Sequence, residues 1–246
     1  MRNIKVILQY EGTKYQGWQR QDKTENTIQG KLETLLTKMC GEKVEVIGSG
    51  RTDAGVHSYG QVANFHIESE MSLQEIMDYM NRYLPEDIAV IDIKEMSERF
   101  HSRLNAKGKT YVYRVINGKV PHIFDRRYTY VVEEKLDMEA MEQAAGLLCG
   151  THDFRAFTSN KRSRKSTVRT VDSITIEKKG DEIRFTFKGN GFLYHMVRIM
   201  MGTLLEVGMH KRDTAQIIEL FKEGTREDAG YLAPAKGLAL VEVRYS

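Results

Sequence analysis

The sequence predicts an α+β fold in two halves, residues 1–104 and 105–246, each with a mostly antiparallel sheet. Three observations favour this class. Short segments alternate apolar and polar residues with the period of a strand, and longer segments carry apolar stripes with the period of a helix. In the first half these segments follow the order strand, helix, strand, strand, helix, strand. That order is the split β-α-β arrangement of ferredoxin-like folds.

The elements of the first half are predicted from these periods. Alternation predicts strands beginning at Ile4, Val44, Val62 and Ile88. Apolar stripes predict one helix over 28–39 and another over 73–84. Two capping boxes are expected to start these helices, Asn26 with Gln29 and Ser72 with Glu75.

The second half repeats the order loosely and without letter-by-letter identity. Apolar stripes predict helices near 138–148, 193–204 and 217–221. Alternation predicts a strand at 111–115, a hairpin around Gly180 and a last strand at 238–243. We therefore predict a second α+β half that runs to the end of the chain.

Composition narrows the function classes. Of the 246 residues, 41% are hydrophobic, which is enough for a packed core, and the net charge of +3 is too small to indicate a nucleic-acid partner by itself. The two cysteines lie far apart, which excludes a zinc site built on thiolates. The N-terminus has no signal-peptide pattern, and Arg198 and Glu206 interrupt the longest apolar segment. We expect a cytoplasmic protein with no membrane span.

The glycine-rich loop, residues 48–58, is the segment most informative about chemistry. It reads Gly-Ser-Gly-Arg-Thr-Asp-Ala-Gly-Val-His-Ser and matches neither a dinucleotide fingerprint nor a P-loop. Arg51 lies two residues before Asp53, so its guanidinium is a candidate to keep that carboxylate ionised and oriented. From the residues alone, three interpretations stay open: a structural turn capped by Asp53, a metal site using Asp53 and His57, or catalysis by Asp53.

Motifs along nearly the whole chain resemble, in the same order, those of the TruA family of tRNA pseudouridine synthases. The loop run Gly50–Ser58 resembles the family's signature, and residues 10–21, here called the opening segment, resemble its first motif. Further matches lie at 27–33, 100–103, 109–114, 150–154, 192–198, 202–208 and 233–238.

The resemblance implies the pseudouridine synthase fold, whose two halves line a central RNA-binding cleft. It implies that Asp53 is the catalytic aspartate, that Tyr111 packs on the target uracil, and that Arg51 and Arg198 lie in the cleft. The implied substrate is the tRNA anticodon stem-loop at positions 38, 39 and 40. The implied enzyme is a homodimer that uses no metal and no organic cofactor.

Pseudouridine formation exchanges the bond from ribose to N1 of uracil for a bond to C5, so the product is an isomer. Such a reaction needs one ionised carboxylate beside ribose and base. The residues alone also allow Tyr111 to be a core strand residue alternating with Tyr113. They equally allow Arg198, set among apolar helix residues, to form a structural salt bridge with a buried carboxylate.

A cluster of cations is predicted to contact the RNA backbone, although a solvated loop is the alternative. The cluster comprises Lys161, Arg162, Arg164, Lys165 and Arg169, with Arg20, Lys23, Arg103, Lys107, Lys109 and Arg114 as further candidates. We expect four histidines, at 57, 101, 152 and 195, to hold loops by hydrogen bonds. Two rival functions are a non-catalytic RNA-binding module and a metal-dependent hydrolase.

Overall fold

The computed structural model describes residues 1–160 and 166–246, which form two compact units. The first unit comprises Met1–Lys107 and Ala239–Ser246, and the second comprises Gly108–Leu238. Residues 239–246, which the sequence assigned to the second half, thus belong to the first unit. Within the described residues, no helix combines the length and apolar character needed to cross a membrane.

Ten strands and five α-helices alternate along the described chain. In order they are β1 (Arg2–Tyr10), α1 (Ile28–Cys40), β2 (Val46–Gly48), β3 (His57–Ile67), α2 (Leu73–Tyr83), β4 (Ile88–Met96), β5 (Gly108–Asn117), β6 (Tyr130–Val132), α3 (Met138–Leu148), β7 (Gly150–Asp153), β8 (Val168–Lys179), β9 (Glu182–Gly189), α4 (Met196–Gly208), α5 (Gln216–Lys222) and β10 (Leu238–Arg244). The α+β class is confirmed.

The sheet of the first unit has the strand order β4-β1-β3-β10, with β2 on β3. Strands β1, β3 and β4 pair antiparallel, whereas β10 runs parallel to β3 and places Ala239 opposite His57. Apolar residues of α1 and α2, such as Leu36 and Met80, share one buried cluster with Ile4 of β1. Burial of these stripes is what holds the two helices on the sheet.

Helix capping follows the sequence prediction at α2 but not at α1. Ser72 and Glu75 form the expected capping box of α2. The prediction for α1 is wrong: the N-cap is Thr27, whose hydroxyl accepts from the Gly30 N–H at 3.1 Å. The Asn26 side chain donates instead to the Lys14 carbonyl. The local pattern is ambiguous because Asn26 and Thr27 are both good N-cap residues.

The sheet of the second unit has the order β5-β9-β8-β7, with β6 parallel to β5. The pairs of this path are antiparallel, and Tyr113 of β5 lies opposite Phe185 of β9. Both rings are fully buried. Helix α3 packs against β8 and α4, so the apolar stripe of α3 lies in the core.

An ion-pair cluster joins β5 to β9. The Arg114 guanidinium donates from Nε and Nη2 to both oxygens of Glu182, at 2.8 and 3.2 Å, and from Nη2 to Asp125 at 3.1 Å. Arg184 adds a bond to Glu182 at 2.7 Å. These bonds, led by that of Arg114, lower the pKa of Glu182 from 4.5 to about 2. Arg114 therefore has a structural partner, although its sequence context placed it among the RNA-contact candidates.

This cluster predicts a pH-dependent stability. A carboxyl whose pKa is lowered by folding stabilises the native state above its unfolded pKa, and the contribution disappears as pH falls through the folded value. We expect Glu182→Gln to lower the free energy of unfolding by about 1–2 kcal/mol at pH 7. The deficit should shrink between pH 4.5 and about 2. Urea titrations across this range measure it, with the exposed Glu98→Gln as control; a deficit that stays constant down to pH 2 contradicts the prediction.

Candidate active site

Asp53 begins a tight turn between β2 and β3. Its carbonyl accepts from the Val56 N–H at 3.1 Å, and Gly55 adopts a φ of 78°, in the left-handed region. Glycine suits that position because it has no Cβ to clash there. The turn of residues 53–56, here called the Asp53 turn, leaves the Asp53 side chain half-buried.

The opening segment holds the Asp53 turn on both sides. The Trp18 N–H donates to the Thr52 carbonyl at 3.0 Å, and the Gly55 N–H donates to the Tyr15 carbonyl at 3.3 Å. Beyond the turn, the Gly12 N–H donates to Nδ1 of His57 at 3.0 Å. Two segments that are separate in the sequence thus form one hydrogen-bonded frame around Asp53.

Close contacts leave no room for a side chain at three glycines of the opening segment and the loop. A Cβ added at Gly12 would lie 2.0 Å from the Val56 carbonyl oxygen, far inside van der Waals contact. A Cβ at Gly48 would lie 2.4 Å from the Trp18 ring. Gly17 combines a φ of 89° with a hypothetical Cβ 2.7 Å from the Thr52 oxygen. The loop and the opening segment therefore approach more closely than residues with side chains allow.

Buried hydroxyl and amide groups secure the start of the loop. The Tyr10 and Thr52 hydroxyls are 2.8 Å apart. Gln61 donates to the Gly50 carbonyl at 3.1 Å and accepts from the Ser49 hydroxyl at 2.6 Å. Burial raises the pKa of Tyr10 to about 12, so this phenol stays neutral at physiological pH.

Arg51 is an exposed member of the loop, and its Nε donates to Oε1 of Gln19 at 2.9 Å. Gln19 belongs to the opening segment. Its position inside a matched motif was the only sequence signal for it, and side-chain chemistry alone assigned it no role.

Tyr111 and Arg198 lie in the second unit, whereas Asp53 and Arg51 lie in the first. The Tyr111 side chain is 7% exposed, and its ring meets that of Phe192 edge to face with centroids 5.3 Å apart. Arg198 and Ala233 exchange two hydrogen bonds, from Arg198 Nε at 2.8 Å and from the Ala233 N–H at 3.2 Å. Nε of Arg198 is thus tied to a backbone carbonyl, and the buried carboxylate that the sequence suggested as its partner stays a prediction.

The predicted backbone-binding cations are only partly described. Lys161, Arg162, Arg164 and Lys165 lie outside the described residues. Arg169 is half-buried, which lowers its pKa. Its Nη1 donates to the carbonyls of Ser166 and Val168 at 3.0 and 2.6 Å. Nη1 of Arg169 is therefore already bonded to the backbone of residues beside it in the sequence.

The expectation for the histidines is confirmed. Nδ1 of His57 accepts from the opening segment, and Nδ1 of His101 accepts two backbone N–H groups, each at 3.2 Å. His152 Nε2 lies 2.8 Å from the Cys149 carbonyl, and His195 Nδ1 lies 2.9 Å from the Ser159 hydroxyl. Each ring secures a loop or a turn. Across residues 1–160 and 166–246, no three His, Cys, Asp or Glu side chains are grouped to hold a metal ion.

Comparison with known proteins places these residues in a family context. The profile described as tRNA pseudouridine synthase matches residues 6–105 and 144–246. A tRNA pseudouridine synthase A of Bacillus sp. (strain KSM-64) is 46% identical, and a tRNA pseudouridine synthase A 1 of Clostridium tetani is 49% identical. Both alignments cover 100% of this chain and of the relative.

Similarity to solved structures is weak. A chain from the crystal structure of a Cbf5-Nop10-Gar1 complex aligns with a TM-score of 0.38 and 14% identity, over 86% of this chain and 44% of that chain. A score this low adds nothing to the sequence matches.

Proposed function

The chain belongs to the family of tRNA pseudouridine synthases, isomerases that act on tRNA, and on this premise we propose that it modifies uridines 38, 39 and 40 of the anticodon stem-loop with Asp53 as its nucleophile. The observation that carries the proposal is the frame around the Asp53 turn. A carboxylate on a turn fixed from both sides is pre-organised for attack, whereas a turn on a loose loop is not. Family membership also argues against the non-catalytic RNA-binding alternative.

The reaction needs little besides this carboxylate. The bond between C1′ of ribose and N1 of uracil breaks, the base rotates, and C1′ bonds to C5. The C5 proton is released, and N1 gains a proton from solvent, so the product is an isomer. Asp53 serves three routes: attack on the sugar, attack on the base, or proton removal that eliminates the base through a glycal.

The other predicted residues have roles that suit a base taken out of its stack. Flipping a nucleotide costs a few kcal/mol, and stacking on an aromatic ring returns roughly 1–3 kcal/mol. In our proposal Tyr111 supplies that ring, and Phe192 fixes its plane by an edge-to-face contact. Arg51 fills the vacated stack or orients Asp53, and Arg198 is a substrate-binding residue, as the resemblance implies. Lys161, Arg162, Arg164, Lys165 and Arg169 contact RNA phosphates.

We further propose that the enzyme works in the cytoplasm as a homodimer, without metal or organic cofactor. Light scattering tests the dimer, because the particle should have twice the 28.3 kDa mass of the chain. Activity in EDTA tests the metal-free reaction and distinguishes it from the alternative of a metal-dependent hydrolase. A hydrolase of the glycosidic bond would also release free uracil, whereas an isomerase leaves the base attached to the RNA.

The choice of uridines is tested with tRNA transcripts carrying tritium at C5 of uridine. We expect tritium release from a transcript with uridine at positions 38, 39 and 40. A matched transcript with cytidine at all three positions, paired to compensating guanosines in the stem, should release none. Release from the second transcript would show that the enzyme modifies other positions, while leaving its activity as a synthase intact.

A further inference from the structure

We propose that Gln19 is a positioning residue for Arg51 and that it acts through a chain of hydrogen bonds ending at Glu33. The inference rests on the proposed function, in which Arg51 acts at the target uridine. Four residues take part in these hydrogen bonds, and all of them lie in the first unit. We call them, in order, the Gln19 relay: Arg51, Gln19, Gln29 and Glu33.

Each link of the Gln19 relay is a hydrogen bond of normal length. Arg51 Nε donates to Gln19 Oε1 at 2.9 Å. Gln19 Nε2 donates to Gln29 Oε1 at 2.7 Å, and Gln29 Nε2 donates to Glu33 Oε1 at 3.1 Å. Every donor therefore points from the exposed arginine towards the carboxylate.

The Glu33 end of the relay is anchored in the unit. Glu33 is 7% exposed. Its Oε1 accepts from the Val46 N–H at 3.1 Å, and its Oε2 accepts from Arg20 Nη1 at 3.0 Å. A buried carboxylate is stabilised by such charged and backbone donors. Glu33 thus ties the relay to α1 and to the start of β2.

The network also fixes which way each amide points. Gln29 Oε1 accepts the Arg20 N–H at 2.8 Å, and Gln29 Nε2 donates to the Val46 carbonyl at 2.9 Å. Rotating this amide by 180° would place donor against donor and acceptor against acceptor. Because Gln29 presents its oxygen to Gln19, Gln19 must present its nitrogen there and its oxygen to Arg51. The negative charge of Glu33 polarises the whole chain in that direction.

The relay matters because Arg51 is exposed. A free arginine side chain samples many rotamers, and fixing it in one of them costs conformational entropy. Held by Gln19, the guanidinium already has a defined place two residues before Asp53 when the RNA arrives. Pre-organisation of this kind acts on the chemical step more than on overall affinity, since most of the affinity for RNA comes from phosphate contacts.

A double-mutant cycle tests the inference. Gln19→Leu, Arg51→Ala and the double variant are compared by kcat and KM for tritium release. We expect Gln19→Leu to lower kcat about tenfold and to change KM by less than about twofold. In the double variant kcat should equal that of Arg51→Ala alone, because Gln19 acts only through Arg51. Losses that multiply, or an unchanged kcat in Gln19→Leu or in Arg51→Ala, would overturn the inference.

Two further variants separate positioning from a general structural effect. Gln19→Glu keeps an acceptor oxygen for Arg51 but loses the donor to Gln29 Oε1 and sets oxygen against oxygen there, so we expect it to recover little of the lost kcat; full recovery would show that the link to Glu33 is not needed and would overturn the inference. Gln74→Leu makes the same glutamine-to-leucine change at an exposed site on α2 and should keep the wild-type kcat. Loss of activity in Asp53→Asn together with an unchanged kcat in Gln19→Leu would refute the relay and leave the proposed function standing.

Discussion

Substituting Asp53 by asparagine is expected to lower the rate of tritium release from C5-labelled tRNA by about 10⁴-fold or more. The amide has nearly the shape of the carboxylate but carries no negative charge. It cannot form the covalent bond that nucleophilic attack requires, and it cannot accept the proton that elimination requires. All three routes therefore predict the same loss.

The variant should nevertheless fold and bind tRNA. The backbone hydrogen bonds of the Asp53 turn use groups of residues 52, 53, 55 and 56, and asparagine keeps all of these backbone bonds. We expect the free energy of unfolding to stay within about 1 kcal/mol of wild type. Asp92→Asn, at an exposed site on β4, is the matched control and should retain full activity. Undiminished tritium release by Asp53→Asn would refute the mechanism.

The local part of the fold was predictable from the sequence. Strand alternation and helical stripes identified the order of elements in the first half of the chain, because burial of one face leaves a regular pattern in the sequence. The capping box of Ser72 and Glu75 was also predictable, because its two residues are three apart in the sequence and bond to each other. Elements can be predicted from the sequence when the contacts that stabilise them lie within a few residues along the chain.

Contacts between distant segments were not predictable in this way. Gln29 resembled a capping residue of α1, yet its side chain bonds to Gln19 and to β2, which local spacing cannot indicate. Likewise β10 has an ordinary strand pattern, and nothing in it specifies pairing with β3. Register and pairing depend on which apolar faces meet in three dimensions.

The candidate site shows the same division. The residues of the loop left a structural turn, a metal site with His57 and a catalytic carboxylate open for Asp53, and the structure shows that the backbone of Asp53 does begin a turn. Only the resemblance selected Asp53 as catalytic. The structure adds that the opening segment supports this turn, so two motifs recognised separately belong to one frame. For Tyr111, burial in β5 fits a core residue and a stacking platform alike.

Gly12→Ala is expected to damage the frame and, through it, the reaction. The backbone of Gly12 has no positive φ, so alanine fits its conformation, and the effect comes from the contact alone. The new Cβ would lie 2.0 Å from the Val56 carbonyl oxygen and 3.1 Å from the Val56 nitrogen. Both contacts are to backbone, so relief requires the opening segment or the Asp53 turn to move. We expect a loss of about 2–4 kcal/mol in the free energy of unfolding.

The same displacement should lower kcat about 100-fold or more, because a reacting group misplaced by about 1 Å loses that much. Tritium release and urea unfolding measure the two effects. Gly146→Ala is the matched control: at this exposed glycine of α3, an added Cβ would have no atom within 4 Å outside its own stretch of helix. It should raise the free energy of unfolding by up to about 1 kcal/mol, since alanine favours a helix, and leave kcat unchanged. If Gly12→Ala retained the wild-type kcat, the close approach of residues 12 and 56 would not be what places Asp53 for reaction.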